Sequence, residues 1–138
     1  WWQARDIDWR TRLGMLGPHA SEAGEREIRN GERTALWQSM ADAGILAPTE
    51  SLQPPPLEHP PIEHAIAYVG MTPAPLAMIP IEDLLGLVEA PNLPGTTDQH
   101  PNWRRRMPGT VDSMLDDAAV VARTDLLNQT RQAPEQQR

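Results

Sequence analysis

The spacing of apolar residues predicts two helices in the first third of the chain. Residues 5–17 carry Ile7, Trp9, Leu13 and Leu16 at intervals compatible with a short helix, which we expect Gly17 and Pro18 to end. A longer helix is predicted over 21–43. Ser21 is a typical N-cap residue, acidic residues follow it in the first turns, and Gly44 is a natural stop.

The predicted helix over 21–43 has a narrow apolar face and many charged residues. Two pairs, Glu22 with Arg26 and Glu25 with Arg29, stand four residues apart in the favourable order for helical ion pairs. The sequence therefore predicts ion pairs between Glu22 and Arg26 and between Glu25 and Arg29 within this helix. The apolar positions consist of Ile28, Leu36, Trp37 and Met40.

The second half of the chain alternates short elements with proline-rich segments. Residues 48–61 contain six prolines and are predicted to form an extended surface connector. A helix is predicted over 62–69. The continuous apolar run over 76–81, bounded by turn signals, is typical of a strand buried on both faces. A loop spans 91–108, a last helix is predicted from its N-cap Thr110 to about Thr124, and residues 126–138 are predicted to be a polar, disordered tail.

Composition restricts the classes of protein to which the chain can belong. Its 138 residues allow one domain, but only 39% are hydrophobic, 15 are proline and none is phenylalanine, so the supply of core side chains is small. A single strand also lacks partners for its backbone groups. We therefore expect the chain to be part of a longer protein. The absence of cysteine excludes disulfides and thiolate metal sites.

The net charge of −7 argues against a nucleic-acid partner, since binding to nucleic acid depends on a basic field. No apolar run approaches the length of about 20 residues that spans a bilayer. The N-terminal residues resemble no signal peptide. From these features we expect a soluble protein that binds neither nucleic acid nor membranes.

Several groups of residues resemble catalytic or metal-binding motifs, but their spacing does not favour either role. The acidic neighbours Glu82–Asp83 and Asp116–Asp117 diverge in a strand or a helix and cannot flank one bond. His59 and His64 lack the spacing of a zinc helix. Two interpretations stay open for the tryptophans Trp1, Trp2 and Trp103. Burial in the core is favoured, and stacking on a sugar ring is the alternative. The run 104–106 of three arginines is expected to pair with carboxylates.

An ordered set of motifs resembles the C-terminal end of the 4-alpha-glucanotransferases, the bacterial amylomaltases and plant-type disproportionating enzymes. The set consists of TPAPL at 72–76, EDLLG at 82–86 and PNLPGTTDQHPNWRRR at 91–106. The opening WW and DIDWR at 6–10 are similar to the family's segment just after its last catalytic carboxylate. The resemblance covers residues 1 to about 115. Pro80 and the prolines of 54–61 depart from the family pattern.

The resemblance implies an α/β fold, the C-terminal portion of a (β/α)₈ TIM barrel, mostly helical in this chain. Residues 76–81 would be the eighth strand, and 91–106 would form a loop on the C-terminal face, where barrel active sites lie. Residues 1–125 would be the C-terminal part of the catalytic barrel. We then expect this chain to pack against the missing N-terminal part of the same barrel.

The resemblance also implies a retaining transfer of α-1,4-glucan segments to the 4-hydroxyl of glucose or another glucan, with no metal or organic cofactor. The family's catalytic carboxylates match no residue of this chain. We therefore assign no catalytic residue and no metal ligand here, and we expect the isolated chain to be inactive. Malto-oligosaccharides and glucose are the implied small-molecule partners.

The loop supplies the candidate substrate-binding residues Asn92, Gly95 and Thr96, with Asp98 close by. Pro94 and Gly95 set a turn, and the amide, hydroxyl and carboxylate groups beside it suit sugar hydroxyls. By resemblance this loop borders the acceptor side of the cleft. Two alternatives stay open: the loop side chains bond only to their own backbone, or the chain is a stand-alone, non-enzymatic helical binding or interaction module.

Overall fold

The computed structural model describes residues 1–132, and its regular elements are helices. In chain order they are α1 (Arg5–Arg12), α2 (Glu22–Asp42), α3 (Ile62–Gly70), α4 (Ile81–Leu84), α5 (Val111–Leu115) and α6 (Ala118–Gln132). Helices α1, α2 and α3 pack in succession, and α6 lies along α3. None of the described helices is long and apolar enough to cross a membrane.

Helix α1 is shorter than the sequence predicts. It ends at Arg12, and Gly14 follows with a φ of +64°. The Met15 N–H then donates to the Arg10 carbonyl at 2.8 Å, which is the long bond of a Schellman motif. The prediction that the helix reaches Gly17 is therefore wrong, because Gly14 takes the left-handed conformation that closes a helix.

Helix α2 confirms the predicted segment and its caps. The Ser21 hydroxyl accepts a hydrogen bond from the Gly24 N–H at 3.1 Å, and Gly44 follows the C-terminal end. Glu22 and Arg26 form the predicted pair at 2.9 Å. The apolar face is narrower than expected, because Trp37 and Met40 are buried whereas Ile28 is exposed.

Two arginines of α2 lie inward, and one of them does not form its predicted pair. Arg29 is buried and holds Asp6 of α1 with two hydrogen bonds of 2.9 Å, instead of pairing with Glu25. Arg33 is also buried, and its guanidinium lies 4.5 Å from the centre of the Trp2 ring. Because the chain has few large apolar residues, cation–π contacts fill positions that a larger core would occupy.

The proline-rich connector over 48–61 lies against α2 and serves as a row of hydrogen-bond acceptors. Its carbonyls at Ser51 and Pro56 accept from the indole N–H groups of Trp37 and Trp2, at 3.0 and 3.2 Å. The Pro55 carbonyl accepts from Arg33 at 2.5 Å. Extended proline backbone has free carbonyls, so the segment attaches to the helix without regular structure of its own.

The predicted strand over 76–81 is wrong for the described chain. Residues 76–80 are irregular, Ile81 begins α4, and residues 1–132 contain no β-strand. The side chains of Leu76 and Met78 are 71% and 79% exposed. A strand needs a neighbour to pair with its N–H and C=O groups, and the described residues offer none.

The C-terminal helices also differ from the prediction. Thr110 is an N-cap as predicted, and its hydroxyl accepts from the Ser113 N–H at 3.3 Å, but α5 ends at Leu115. Asp117 then caps a second helix, accepting from the Ala119 N–H at 2.9 Å. Because α6 runs to Gln132, the part of the predicted disordered tail over 126–132 is helical. The rest of that tail, 133–138, lies outside the described residues.

Helix α6 is held by its contacts with α3 and α4. Arg123 donates to Glu63 of α3 at 2.9 Å and to the Leu84 carbonyl at the end of α4. The buried apolar side chains of the described residues form a small core that draws on most of the elements: Trp2, Ala4, Ile7, Trp37, Met40, Ile66, Ala67, Leu93, Met114 and Val120.

Candidate functional site

Asn102 organises the loop over 91–106. Its side-chain oxygen accepts from the Leu93 N–H at 2.8 Å and lies 2.9 Å from Nδ1 of His100. Its amide nitrogen donates to the Thr96 carbonyl and hydroxyl at 3.0 and 2.7 Å, and to the Thr97 carbonyl at 3.3 Å. One side chain thus connects both arms of the loop.

Two buried side chains attach this loop to the rest of the molecule. Leu93 and His100 are both buried, and the His100 ring meets the Trp9 indole of α1 edge-on at 4.9 Å between centres. The Asn102 oxygen can only accept, so the proton of the His100 ring sits on Nδ1. The loop is therefore a preorganised element, held by contacts with the core beneath it.

The three predicted sugar-binding residues lie on one arm of this loop but differ in what they contact. Gly95 has a φ of +87°, which the tight turn after Pro94 requires. The Thr96 hydroxyl donates to the Leu93 carbonyl at 2.7 Å and accepts from Asn102. The Asn92 side chain is half-buried and has no hydrogen-bond partner among residues 1–132. Asn92 is the member of the three whose amide stays available.

Glu89 connects α1 with the segment that leads into the loop. Its carboxylate accepts from Arg5 Nε at 2.9 Å, from Trp9 Nε1 at 2.8 Å, and lies 3.7 Å from Arg105. Burial acts to raise the pKa of Glu89, but the hydrogen bonds from Trp9 and Arg5 outweigh it. The pKa lies below its ordinary value, so Glu89 is an anion at neutral pH.

The motif over 103–106 is exposed to solvent. Trp103 has a φ of +57°, its N–H donates to the Pro91 carbonyl at 2.8 Å, and its side chain is 74% exposed. Arg104 pairs with Asp98 at 3.1 Å, and Arg105 lies near Glu89, which confirms the expected pairing for these two arginines. Of the three tryptophans expected to be buried, Trp2 is buried, whereas Trp1 and Trp103 are exposed.

The loop thus presents polar groups on a rigid backbone, which suits recognition better than bond cleavage. The acidic side chains around it are held in ion pairs, and Glu82 and Asp83 lie in the first turn of α4 as separate anions. No group of three His, Cys, Asp or Glu side chains within residues 1–132 could hold a metal ion. His64 instead contacts Glu50 at 2.8 Å.

Sequence reasoning missed Asn102 and Glu89. Asn102 stands inside the quoted motif PNWRRR, and an asparagine between proline and an aromatic residue in a turn-rich loop is a signal for side-chain bonding to backbone. Glu89 offered no comparable signal, since its partners Arg5 and Trp9 are 84 and 80 positions away.

Replacing Asn102 by aspartate tests its role in the loop. Asn102→Asp keeps the shape but loses the donor to Thr96, and it sets a carboxylate against the Thr96 carbonyl. We expect a loss of about 2 kcal/mol in the free energy of unfolding, because buried acceptors lose their donor. Urea unfolding measures it. Asn128→Asp on exposed α6 is the control, and equal stability of the two variants would contradict the role.

The chain belongs to the 4-alpha-glucanotransferase family of glycosyl hydrolases, family 77, whose sequence model matches residues 1–112. This agrees with the ordered motifs over 72–106 and with the segment that opens the chain. The match covers helices α1 to α4 and the whole of the 91–106 loop.

Three curated relatives support this assignment. The chain is 33% identical, over 100 residues, to the 4-alpha-glucanotransferases of Mycobacterium bovis (strain ATCC BAA-935 / AF2122/97) and of Mycobacterium tuberculosis strains CDC 1551 / Oshkosh and ATCC 25618 / H37Rv. The alignment covers 72% of this chain and 13% of each relative. The chain therefore spans only a small part of the length of the relatives it matches.

Proposed function

We propose that these residues form the acceptor-side part of a 4-alpha-glucanotransferase, an enzyme that moves segments of α-1,4-glucan to glucose or another glucan. The observation that carries the proposal is the family match over 1–112, which includes the preorganised 91–106 loop. The proposed substrates are malto-oligosaccharides and glucose, and the proposed location is the cytoplasm.

In this proposal the catalytic carboxylates are contributed by another part of the polypeptide. Retaining glycoside chemistry needs two carboxyl groups about 5–5.5 Å apart across the scissile bond. Two of the carboxylates near the loop are already engaged, Glu89 by Arg5 and Asp98 by Arg104, and no catalytic pair is assigned to the others. We therefore propose that the 138-residue chain alone does not turn over glucan.

We also propose that residues 1–125 are the C-terminal part of a TIM barrel, in which the segment 76–80 packs against the rest of the barrel. The exposed apolar side chains of Leu76 and Met78 and the unpaired backbone of this segment support the idea. An apolar groove of about 260 Å³ between α2, α3 and the segment around Ile79 offers further surface for packing. The rest of the barrel would pair the backbone and cover these side chains.

The experiment compares the complete gene product with the 138-residue chain. Incubation with maltotriose should give glucose and longer maltodextrins with the complete product and no reaction with the chain alone. Intact mass spectrometry of the product in its source cells gives its length. A product of 15.4 kDa, or disproportionation by the chain alone, would overturn this division of the active site.

Asn92→Ala tests the acceptor role of the loop. Removing the free amide should raise the KM for the glucose acceptor by about tenfold, equivalent to one lost hydrogen bond to a sugar hydroxyl. Donor cleavage, followed as hydrolysis without acceptor, should change little. Thr96→Ser is the matched control, because it keeps the hydroxyl that bonds inside the loop. Unchanged acceptor kinetics in Asn92→Ala would exclude the contact.

The second candidate is a stand-alone helical binding or interaction module without enzymatic activity. The acidic net charge and the proline-rich connector are the features that favour it. A 15.4 kDa gene product would support the module, so the mass measurement separates the two candidates.

A further inference from the structure

Trp103 combines two features that are uncommon in one residue: a left-handed backbone and an almost fully exposed indole. Its φ is +57°, and its side chain is 74% exposed. A bulky residue at positive φ is strained, and such strain persists where the surrounding structure imposes it. Here the hydrogen bond from the Trp103 N–H to the Pro91 carbonyl, at 2.8 Å, holds the backbone in this conformation. In this conformation the ring lies in solvent.

The indole borders a groove of about 380 Å³, which is large enough for a small ligand. The groove is lined by the apolar side chains of Leu87, Val88, Pro91 and Met107 and by a charged rim. The rim consists of Glu82, Glu89, Arg105 and Arg106. Arg106 has no carboxylate partner among residues 1–132, and neither has Glu82.

We infer that this groove is a glucan-binding subsite, in which Trp103 stacks on the apolar face of a glucosyl ring. A flat aromatic surface covers the C–H face of a sugar. Arginine donors and a carboxylate acceptor beside it match hydroxyls that both donate and accept. The inference rests on the proposed function, which supplies an α-1,4-glucan as the ligand, and it assigns to Trp103 the stacking role that the sequence left open among three tryptophans.

The charged rim argues against the alternative that another part of the polypeptide packs over Trp103. Covering the groove with a dry interface would remove the guanidinium of Arg106 and the carboxylate of Glu82 from water, which is costly without partners. A sugar keeps these groups hydrogen-bonded. The position also fits, because Pro91, whose carbonyl holds Trp103, directly precedes Asn92. One glucan could therefore contact both residues.

The substitution Trp103→Gly separates an effect on glucan binding from an effect on stability. Trp103→Gly removes the ring and accepts the positive φ without strain, so the melting temperature should stay the same or rise while glucan affinity falls. Native electrophoresis of the complete gene product through gels containing soluble starch measures the affinity from the retardation. We expect Trp103→Gly to bind about tenfold more weakly and Trp103→Phe to stay within about threefold. Leu52→Ala, at another exposed apolar position, should bind as the parent does.

Each outcome decides the inference. Weaker retardation of Trp103→Gly alone, with undiminished melting temperature, supports the subsite. Equal retardation of all variants, no retardation of the parent protein, or a lower melting temperature in Trp103→Gly without loss of affinity overturns it. Failure of the proposed function would be seen separately, as absence of maltotriose disproportionation, because gel retardation requires no turnover.

Discussion

Arg29→Ala is expected to lower the free energy of unfolding by about 3 kcal/mol, near the lower end of the range for breaking a buried ion pair. Arg29 is buried and makes two hydrogen bonds of 2.9 Å to Asp6 and one of 2.7 Å to the Trp1 carbonyl. Its removal leaves the Asp6 carboxylate without its cation and frees the N-terminal residues from α2. Urea unfolding of the 138-residue chain measures the loss.

The matched control lies one turn earlier on the same helix. Arg26 pairs with Glu22 and Asp8 but is about one-third exposed, so Arg26→Ala should cost less than about 1 kcal/mol. Adding Asp6→Asn to Arg29→Ala should recover part of the loss, because the unpaired charge is then gone. Equal effects of Arg29→Ala and Arg26→Ala would contradict the buried pair.

The same pair predicts a dependence on pH. Burial acts to raise the pKa of Asp6, but the hydrogen bonds and charge of Arg29 outweigh it, and the pKa lies below its ordinary value. The folded state therefore binds this proton less readily than the unfolded state. The contribution of Asp6 is fully present above its unfolded pKa of about 3.9 and is lost as the pH falls through the lower folded pKa. In Arg29→Ala this part of the acid sensitivity should diminish.

Gly70→Ala should lower the free energy of unfolding by about 2 kcal/mol, a typical cost of overpacking. A Cβ atom at Gly70 would collide with the hydroxyl of Thr130 and approach its Cβ to 2.9 Å. The hydroxyl is held by the Leu126 and Leu127 carbonyls at 2.9 and 3.0 Å, and the Cβ atom cannot rotate away. Helices α3 and α6 must therefore move apart. Thermal or urea unfolding measures the change.

Gly31 provides the control, because the same substitution can be made there in another helix. A Cβ atom at Gly31, in the middle of α2, would meet nothing within 4 Å. Gly31→Ala should therefore stabilise the chain by about 1 kcal/mol, from helix propensity alone. The same substitution thus has opposite signs at two helical positions. Stabilisation by Gly70→Ala would show that α6 does not lie on α3 as described.

Sequence predictions were most accurate for features that depend on contacts between residues close together in the chain. Ser21 and Thr110 act as N-caps because the bonds that they accept come from N–H groups three residues away. The end of α1 was misplaced, although its signal, Gly14, was also local. The strand over 76–81 was wrong because strand formation depends on a partner, and an apolar run alone does not provide one.

The sequence also predicted only part of the candidate site. The motif PNLPGT identified the turn at Gly95 and the residues Asn92 and Thr96 as candidates. It did not distinguish the free amide of Asn92 from the Thr96 hydroxyl, which Asn102 engages from across the loop. It also favoured burial of Trp103, because apolar side chains are usually buried and the backbone conformation in which this one lies in solvent is invisible in the sequence.

By itself, the sequence determined the family, the helical segments and most of their caps, since motif order and short-range hydrogen bonding are properties of neighbouring residues. Only the tertiary structure decided which charged residues are buried. Arg29 had a partner four residues away in Glu25 but binds Asp6, 23 positions away. The reason is physical: an exposed helical ion pair contributes only a few tenths of a kcal/mol, and a bidentate pair in a partly buried site outweighs it.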